Sequence, residues 1–230
     1  MRIGYYTAAL GIMLPRKRLE VIANNLANVE TPGFKHDRIY FKNFMEEASY
    51  TVMRQGRLRR TGSPLDVAIN GEGFFKVQRD GQVLYTRDGN FCINQNGQLT
   101  TQEGWLVMGN SGPIELSNSI ERGTDVRIEP DGRVFDGNDE VGKIEVVKFP
   151  KGARLRKTKH GYFKPEQAGV EALEAKNYRL VQYFLEDANF ELPEEMVGII
   201  ESMRELESFQ KVMQTYQEVE SVLIRKLGSI

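Results

Sequence analysis

Apolar residues recur along this chain with two different periods, and the change of period divides it. Near the N-terminus Ile3, Tyr6, Leu10 and Met13 follow at steps of three and four residues. Leu19, Ile22, Leu26 and Val29 repeat that spacing after a break of phase near Pro15. Such steps place side chains on one stripe of an α-helix. A proline inside a helix costs about 3 kcal/mol and frees the carbonyl four residues earlier. The pattern therefore predicts a kink at Pro15, or two helices with Pro15 in the first turn of the second. Thr31-Pro-Gly33 ends the element, because proline cannot continue it and glycine readily takes the turn. Asn24, Asn25 and Asn28 fall on the face opposite the stripe. Their amides seek hydrogen bonds and favour helices poorly. A helix with one apolar stripe, a row of amides and a fixed end reads as an assembly element.

Residues 34–53 fit neither period cleanly. Ile39, Phe41, Phe44 and Met45 suit a short strand followed by a helical turn, without deciding the matter, and Arg54–Arg60 reads as a basic linker. From Pro64 the period shortens. Asp66–Ile69 and Phe74–Val77 are strand-like runs around Asn70-Gly-Glu-Gly73, and glycines at 81, 89, 97 and 104 each follow an Asp, Asn or Glu. Asp-Gly and Asn-Gly pairs suit tight hairpins, where both central residues must accept positive φ. The pattern predicts an antiparallel meander, continued through Val126–Ile128, Arg133–Phe135 and Gly142–Phe149.

The helical period returns at Leu192-Pro-Glu-Glu195, where proline suits the first turn and the acids suit the positive end of the helix dipole. Met196, Ile200, Met203, Leu206, Phe209, Met213, Tyr216, Val219, Leu223 and Leu227 mark one stripe. Pro193 to Leu227 would run about 52 Å. A helix of this kind buries its stripe against something. The N-terminal helix is the economical partner. It carries a basic excess, and residues 192–227 hold four Lys/Arg against seven Asp/Glu.

The fold class that follows is α+β: N- and C-terminal helices packed as a coiled-coil-like bundle, with an inserted antiparallel all-β domain, barrel or sandwich. The expected organisation is a helical segment at 1–33, a connector at 34–63, the β-domain at 64–168, a return connector at 169–191 and the long helix at 192–230. A C-terminal coiled coil that merely dimerises the protein is the plainer alternative.

Composition narrows the function without supplying one. A net charge of -1 over 230 residues gives no global attraction to nucleic acid, and no apolar run is long enough to span a bilayer. Cys92 is the single cysteine and sits in an alternating run, as a packed thiol would. His36 and His160 lack metal-ligand spacing. Asp136–Gly142 resembles a calcium loop, but Val141 and Val147 stand where glycine and glutamate are required. No phosphate loop, dinucleotide fingerprint or paired catalytic carboxylates appear, so no enzyme and no cofactor are expected. Lys148, Lys151, Arg154, Arg156 and Lys157 form a basic cluster suited to an acidic patch on a neighbouring subunit. The N-terminus lacks the uninterrupted apolar run of a cleavable signal peptide.

Three stretches carry a family resemblance: Val21–Lys35, with its Asn-Asn-Leu-Ala-Asn and Thr-Pro-Gly-Phe-Lys; Gly62–Phe75 with Tyr85–Phe91; and Asn189–Arg204. Together, in this order, they resemble the bacterial flagellar rod and hook proteins, the axial proteins of the basal body. The resemblance implies a non-enzymatic rod subunit, exported through the flagellar type III apparatus without a cleaved signal. Its partners would be copies of itself and other rod proteins, with no nucleic acid and no membrane insertion. The short stretch between Phe34 and Gly62, together with Val141–Phe149 and Leu155-Arg-Lys157, is more similar to the proximal rod member than to the distal one. Carried over, Leu19, Ile22 and Leu26 would meet Met196, Ile200, Met203, Leu206, Phe209 and Met213 in the assembly core. Asn24, Asn25 and Asn28 would bond backbone or neighbouring subunits. The rival reading from another class is a cell-wall-binding β-module with a coiled-coil dimerisation tail.

Overall fold

The computed structural model describes residues 2–43, 46–116, 126–150, 152–158, 161–167 and 169–227. The chain forms two compact units, each built from separated stretches: residues 1–28, 36–52 and 190–230 in one, and 29–35 with 53–189 in the other.

The first unit pairs helix α1, Arg2–Ala27, with helix α2, Leu192–Leu227. Helix α1 runs continuously through Pro15, so the two-helix alternative is overturned. Pro15 is buried and shares a stripe with Gly11, Arg18, Ile22 and Asn25, the residues that touch α2. Its ring is covered, and tertiary contact outweighs local propensity. The helix stops before Thr31-Pro-Gly33. Asn28 Nδ2 donates to Asn24 O at 2.8 Å, and Asn28 N–H donates to Asn25 O at 3.0 Å. These bonds satisfy carbonyls that the last turn would leave open. Val29 consequently lies beyond the helix, off the stripe assigned to it.

Residues 34–53 resolve as a hairpin, Asp37–Asn43 paired antiparallel with Glu46–Thr51, in place of a strand and helical turn. Tyr40 and Tyr50 meet diagonally across it, their rings edge to face with centroids 5.7 Å apart. Phe44 and Met45 lie outside the described residues.

The described strand pairs of the second unit are all antiparallel. Phe74–Arg79 is its central strand, pairing with Gln82–Thr86, Leu106–Gly109 and Val146–Lys148. The hairpin at Asp80-Gly81 has φ of 51° and 77° at those residues, as a primed turn requires. The expected meander is interrupted at Asp88-Gly89. Gly89 is not a hairpin turn: a β-carbon there would lie 1.7 Å from Val67 O, and Val67 N–H donates to Gly89 O at 3.0 Å. The glycine permits a close crossing of two backbones, and Phe91–Ile93 pairs onward with Leu99–Thr101 instead. The 169–191 stretch, read as a connector, carries strands. Tyr178–Gln182 pairs with Val67–Gly71, and Phe184–Glu186 with Leu58–Arg60. Val67, Ile69, Phe75, Val77, Leu99, Val107, Leu116, Val134 and Ile144 form the buried core.

Candidate assembly surface

The helix pair is read best from its closest contacts. Gly11 lies under the Phe209 ring, Arg18 Nη1 meets Glu205 at 3.2 Å, Ile22 reaches Gly198, and Asn25 Nδ2 donates to Glu195 Oε2 at 3.3 Å. Positions rise along α1 as they fall along α2, so the helices are antiparallel. The face that α2 turns inward carries Gly198, Ser202, Leu206, Phe209, Met213 and Tyr216. Ser202 is fully buried, the others partly so, and the Ser202 hydroxyl donates to Gly198 O at 2.7 Å. Glycine and serine open this face at one end, which allows Ile22 to come close.

This inner face contains only part of the stripe assigned from sequence. Leu206, Phe209 and Met213 lie on it, half-buried. Met196, Ile200 and Met203 do not: they are 54%, 52% and 55% exposed. The physical reason is angular. Each three-residue step falls about 60° short of a full turn, so the steps from 200 through 203 and 206 to 209 carry the apolar line onto another face. Helix α2 thus has two apolar stripes. One meets α1, and the other, from Leu192 through Met196, Ile200 and Met203, faces outward.

The asparagines also divide. Asn25 belongs to the covered side, 1% exposed, contrary to the polar-face placement. It accepts from Asp37 N–H and donates to Asp37 O, both at 3.0 Å, which tethers the hairpin to α1. Asn24 is exposed, and Asn28 serves the helix end. Leu19 and Leu26 are half-buried beside buried Ile22.

In the second unit, sequence reasoning passed over a buried ion knot. Glu186, 1% exposed, accepts from Lys35 Nζ and from Gly56 N–H (2.8 Å) through Oε1. Its Oε2 accepts from Arg87 Nη1 at 3.2 Å. Arg87 also donates to Ile69 O at 3.1 Å and Gly71 O at 2.6 Å, and Lys35 Nζ to Arg54 O at 2.9 Å. Gly33, at φ 67°, lets the chain pass over Arg87, whose carbonyl carbon would lie 2.4 Å from a β-carbon there. Gly33 N–H donates to Glu186 O at 2.6 Å. Burial pushes Lys35 below its ordinary value, opposed by Glu186 and assisted by the Arg87 charge. Burial likewise lowers Arg87. The nearest sequence signals were Lys35, closing the Thr-Pro-Gly-Phe-Lys run, and Arg87, in Tyr85–Phe91.

The basic cluster is broken up. Lys157 turns inward, its Nζ 3.5 Å from the Phe34 ring centroid and 2.6 Å from Lys35 O. Lys148 is half-buried, Arg154 and Arg156 are exposed, and Lys151 lies outside the described residues, as does His160. Among the described residues no group of three or more His, Cys, Asp or Glu could hold a metal ion. None of their helices is long and apolar enough to cross a membrane.

Comparison with known proteins fits this architecture. Residues 6–35 match the family described as flagella basal body rod protein, and residues 68–135 match the D1 domain described for flagellar hook protein FlgE/F/G. A flagellar basal-body rod protein FlgG of Borreliella burgdorferi is 33% identical over 256 residues, covering 94% of this chain and 95% of that protein. FlgF of Caulobacter vibrioides is 30% identical over 235 residues, covering 95% of each. FlgG of Buchnera aphidicola subsp. Schizaphis graminum is 29% identical over 256 residues, covering 96% of each.

Proposed function

The chain belongs to the flagellar basal-body rod protein family, a family of structural, non-catalytic subunits, and from that membership we propose that it is a proximal rod subunit of the FlgF type that polymerises through its terminal helices. The observation that carries the polymerisation reading is the outward stripe of α2. Leu192, Met196, Ile200 and Met203 expose apolar surface in a row, and burial of each such side chain is worth about 1.5–3 kcal/mol. A neighbouring copy is the natural cover. The acidic excess of α2 and the exposed Arg16 and Lys17 of α1 favour contact between different faces of successive copies, an arrangement that extends into a helical filament.

Chain length supports the proximal assignment. The FlgF alignment runs to 235 residues, near the 230 of this chain, whereas the two FlgG alignments run to 256. The identity of 33% to one FlgG supports a distal role as the second reading. Family membership sets aside the cell-wall-binding module. The other partners proposed are neighbouring rod proteins and the flagellar type III export apparatus, with a place in the periplasm-spanning rod. Arg154 and Arg156 are the exposed remainder of the proposed charged contact.

The test is the double substitution Met196→Asp and Ile200→Asp. Secondary structure and melting of the isolated chain should be unchanged, because both side chains are more than half exposed, while sedimentation shows that concentrated protein no longer polymerises and motility is lost. Normal rods from this variant would remove the stripe from the assembly surface. Cross-complementation of strains lacking one rod protein distinguishes the proximal from the distal role.

A further inference from the structure

The knot around Glu186 collects three groups that can react together once water is excluded: an amine, a carboxylate and a carboxamide. Lys35 Nζ donates to Arg54 O at 2.9 Å, and Asn189 Nδ2 donates to the same oxygen at 2.9 Å. Lys35 Nζ also donates to Glu186 Oε1. Asn189 N–H donates to Phe34 O at 3.2 Å, which holds the two backbones side by side. All three side chains belong to buried residues.

From this geometry we propose that Lys35 and Asn189 are joined by an intramolecular isopeptide bond, with Glu186 relaying the proton. The neutral Lys35 amine attacks Asn189 Cγ. The Nζ–Cγ bond forms, the Cγ–Nδ2 bond breaks, and Glu186 takes a proton from Nζ for delivery to Nδ2, which leaves as ammonia. A primary amide becomes a secondary amide, nothing is oxidised or reduced, and no co-reactant is consumed.

The charge balance of the knot favours the reactive form. Lys35 and Arg87 share the Glu186 carboxylate, while Glu72 adds its charge to Arg87 alone, and a buried cation without a carboxylate of its own is costly. Arginine does not surrender its proton, so relief falls on Lys35. Burial and the neighbouring Arg87 both push its ammonium toward the neutral amine, against the pull of Glu186. A desolvated lysine beside another cation is an activated nucleophile. The shared Arg54 carbonyl holds amine and amide together, which supplies the proximity the step needs. Lys35 follows the turn after α1, and Asn189 precedes α2 by three residues. The bond would tie the chain's entry into the β-unit covalently to its exit. Its use under load rests on the rod reading, but its formation does not.

Intact-mass spectrometry of the purified full-length chain under denaturing conditions tests this. The expected mass is one ammonia below that of the sequence. Trypsin should fail to cut after Lys35, and the peptide containing Lys35 should appear joined to the one containing Asn189. Lys35→Arg and Glu186→Gln should each show full sequence mass. A wild-type chain at full sequence mass overturns the proposal, as does Asn189 found as free aspartate. Normal polymerisation by an unlinked Lys35→Arg chain leaves the rod reading standing, and failed polymerisation by a linked wild-type chain counts against the rod reading alone.

Discussion

Phe209 of α2 lies so close to Gly11 of α1 that a β-carbon at residue 11 would stand 2.4 Å from its ring. Gly11 is also the residue whose carbonyl loses its partner to Pro15, four positions on. The absent side chain and the absent hydrogen bond fall on one residue, and an aromatic ring packs against it. Gly11→Ala should gain about 0.8–1 kcal/mol of helix propensity. It should lose more through overpacking, which typically costs about 1–3 kcal/mol. Hydrogen exchange in α1 and α2 should therefore accelerate while exchange in the β-strands stays unchanged. Phe209→Leu combined with Gly11→Ala should recover most of the loss.

Pro15 invites the opposite change. Pro15→Ala restores an N–H to the carbonyl of Gly11 and removes a penalty of about 3 kcal/mol, against a smaller loss of buried ring surface. The expected outcome is a net gain of about 1–2 kcal/mol in the helix pair, read as a higher melting midpoint for the helical signal. A fall in that midpoint would show that the proline ring contributes more by packing than its backbone costs.

The helices were legible in the sequence because a period near 3.6 survives even where single residues oppose it, as Pro15 does. The facing of α2 was not, since its two apolar stripes merge on paper: Ile200 and Met203 run smoothly into Leu206 although they point elsewhere. Asn25 was misplaced because residue type suggested solvent, whereas its position one turn after Ile22 puts it on the covered face. Glu186 and Lys35 stand 151 positions apart, in segments with no period of their own. No local pattern could announce their meeting. Gly89 looked like a hairpin turn because Asp-Gly usually is one, and only the strand crossing above it shows its other use.

The knot itself carries stability. Glu186→Gln takes from buried Arg87 the carboxylate it contacts, and breaking a buried pair in this way typically costs about 3–5 kcal/mol. The urea midpoint of the β-unit should drop accordingly. Glu186→Gln together with Arg87→Leu should cost less than the two separate changes summed. Strict additivity in that cycle would show that the contact contributes nothing specific.

Asp88 gives the β-unit a pH dependence of unusual sign. Its Oδ1 accepts from Asn90 N–H at 2.9 Å, yet burial, with Glu103 and Asp66 adding repulsion, raises its pKa from 3.8 to about 7. In the unfolded chain the group returns to the ordinary carboxylate range. Between the two values the native state holds a proton that the unfolded state has released. Stability from this group is therefore full below about pH 4 and is lost as pH rises through 7. Asp88→Asn keeps the acceptor oxygen and removes the titration. The difference in urea midpoint between variant and wild type should grow in the variant's favour from pH 5 to pH 8, then level off. A difference that is flat across this range would mean that Asp88 is already ionised in the folded protein at pH 5.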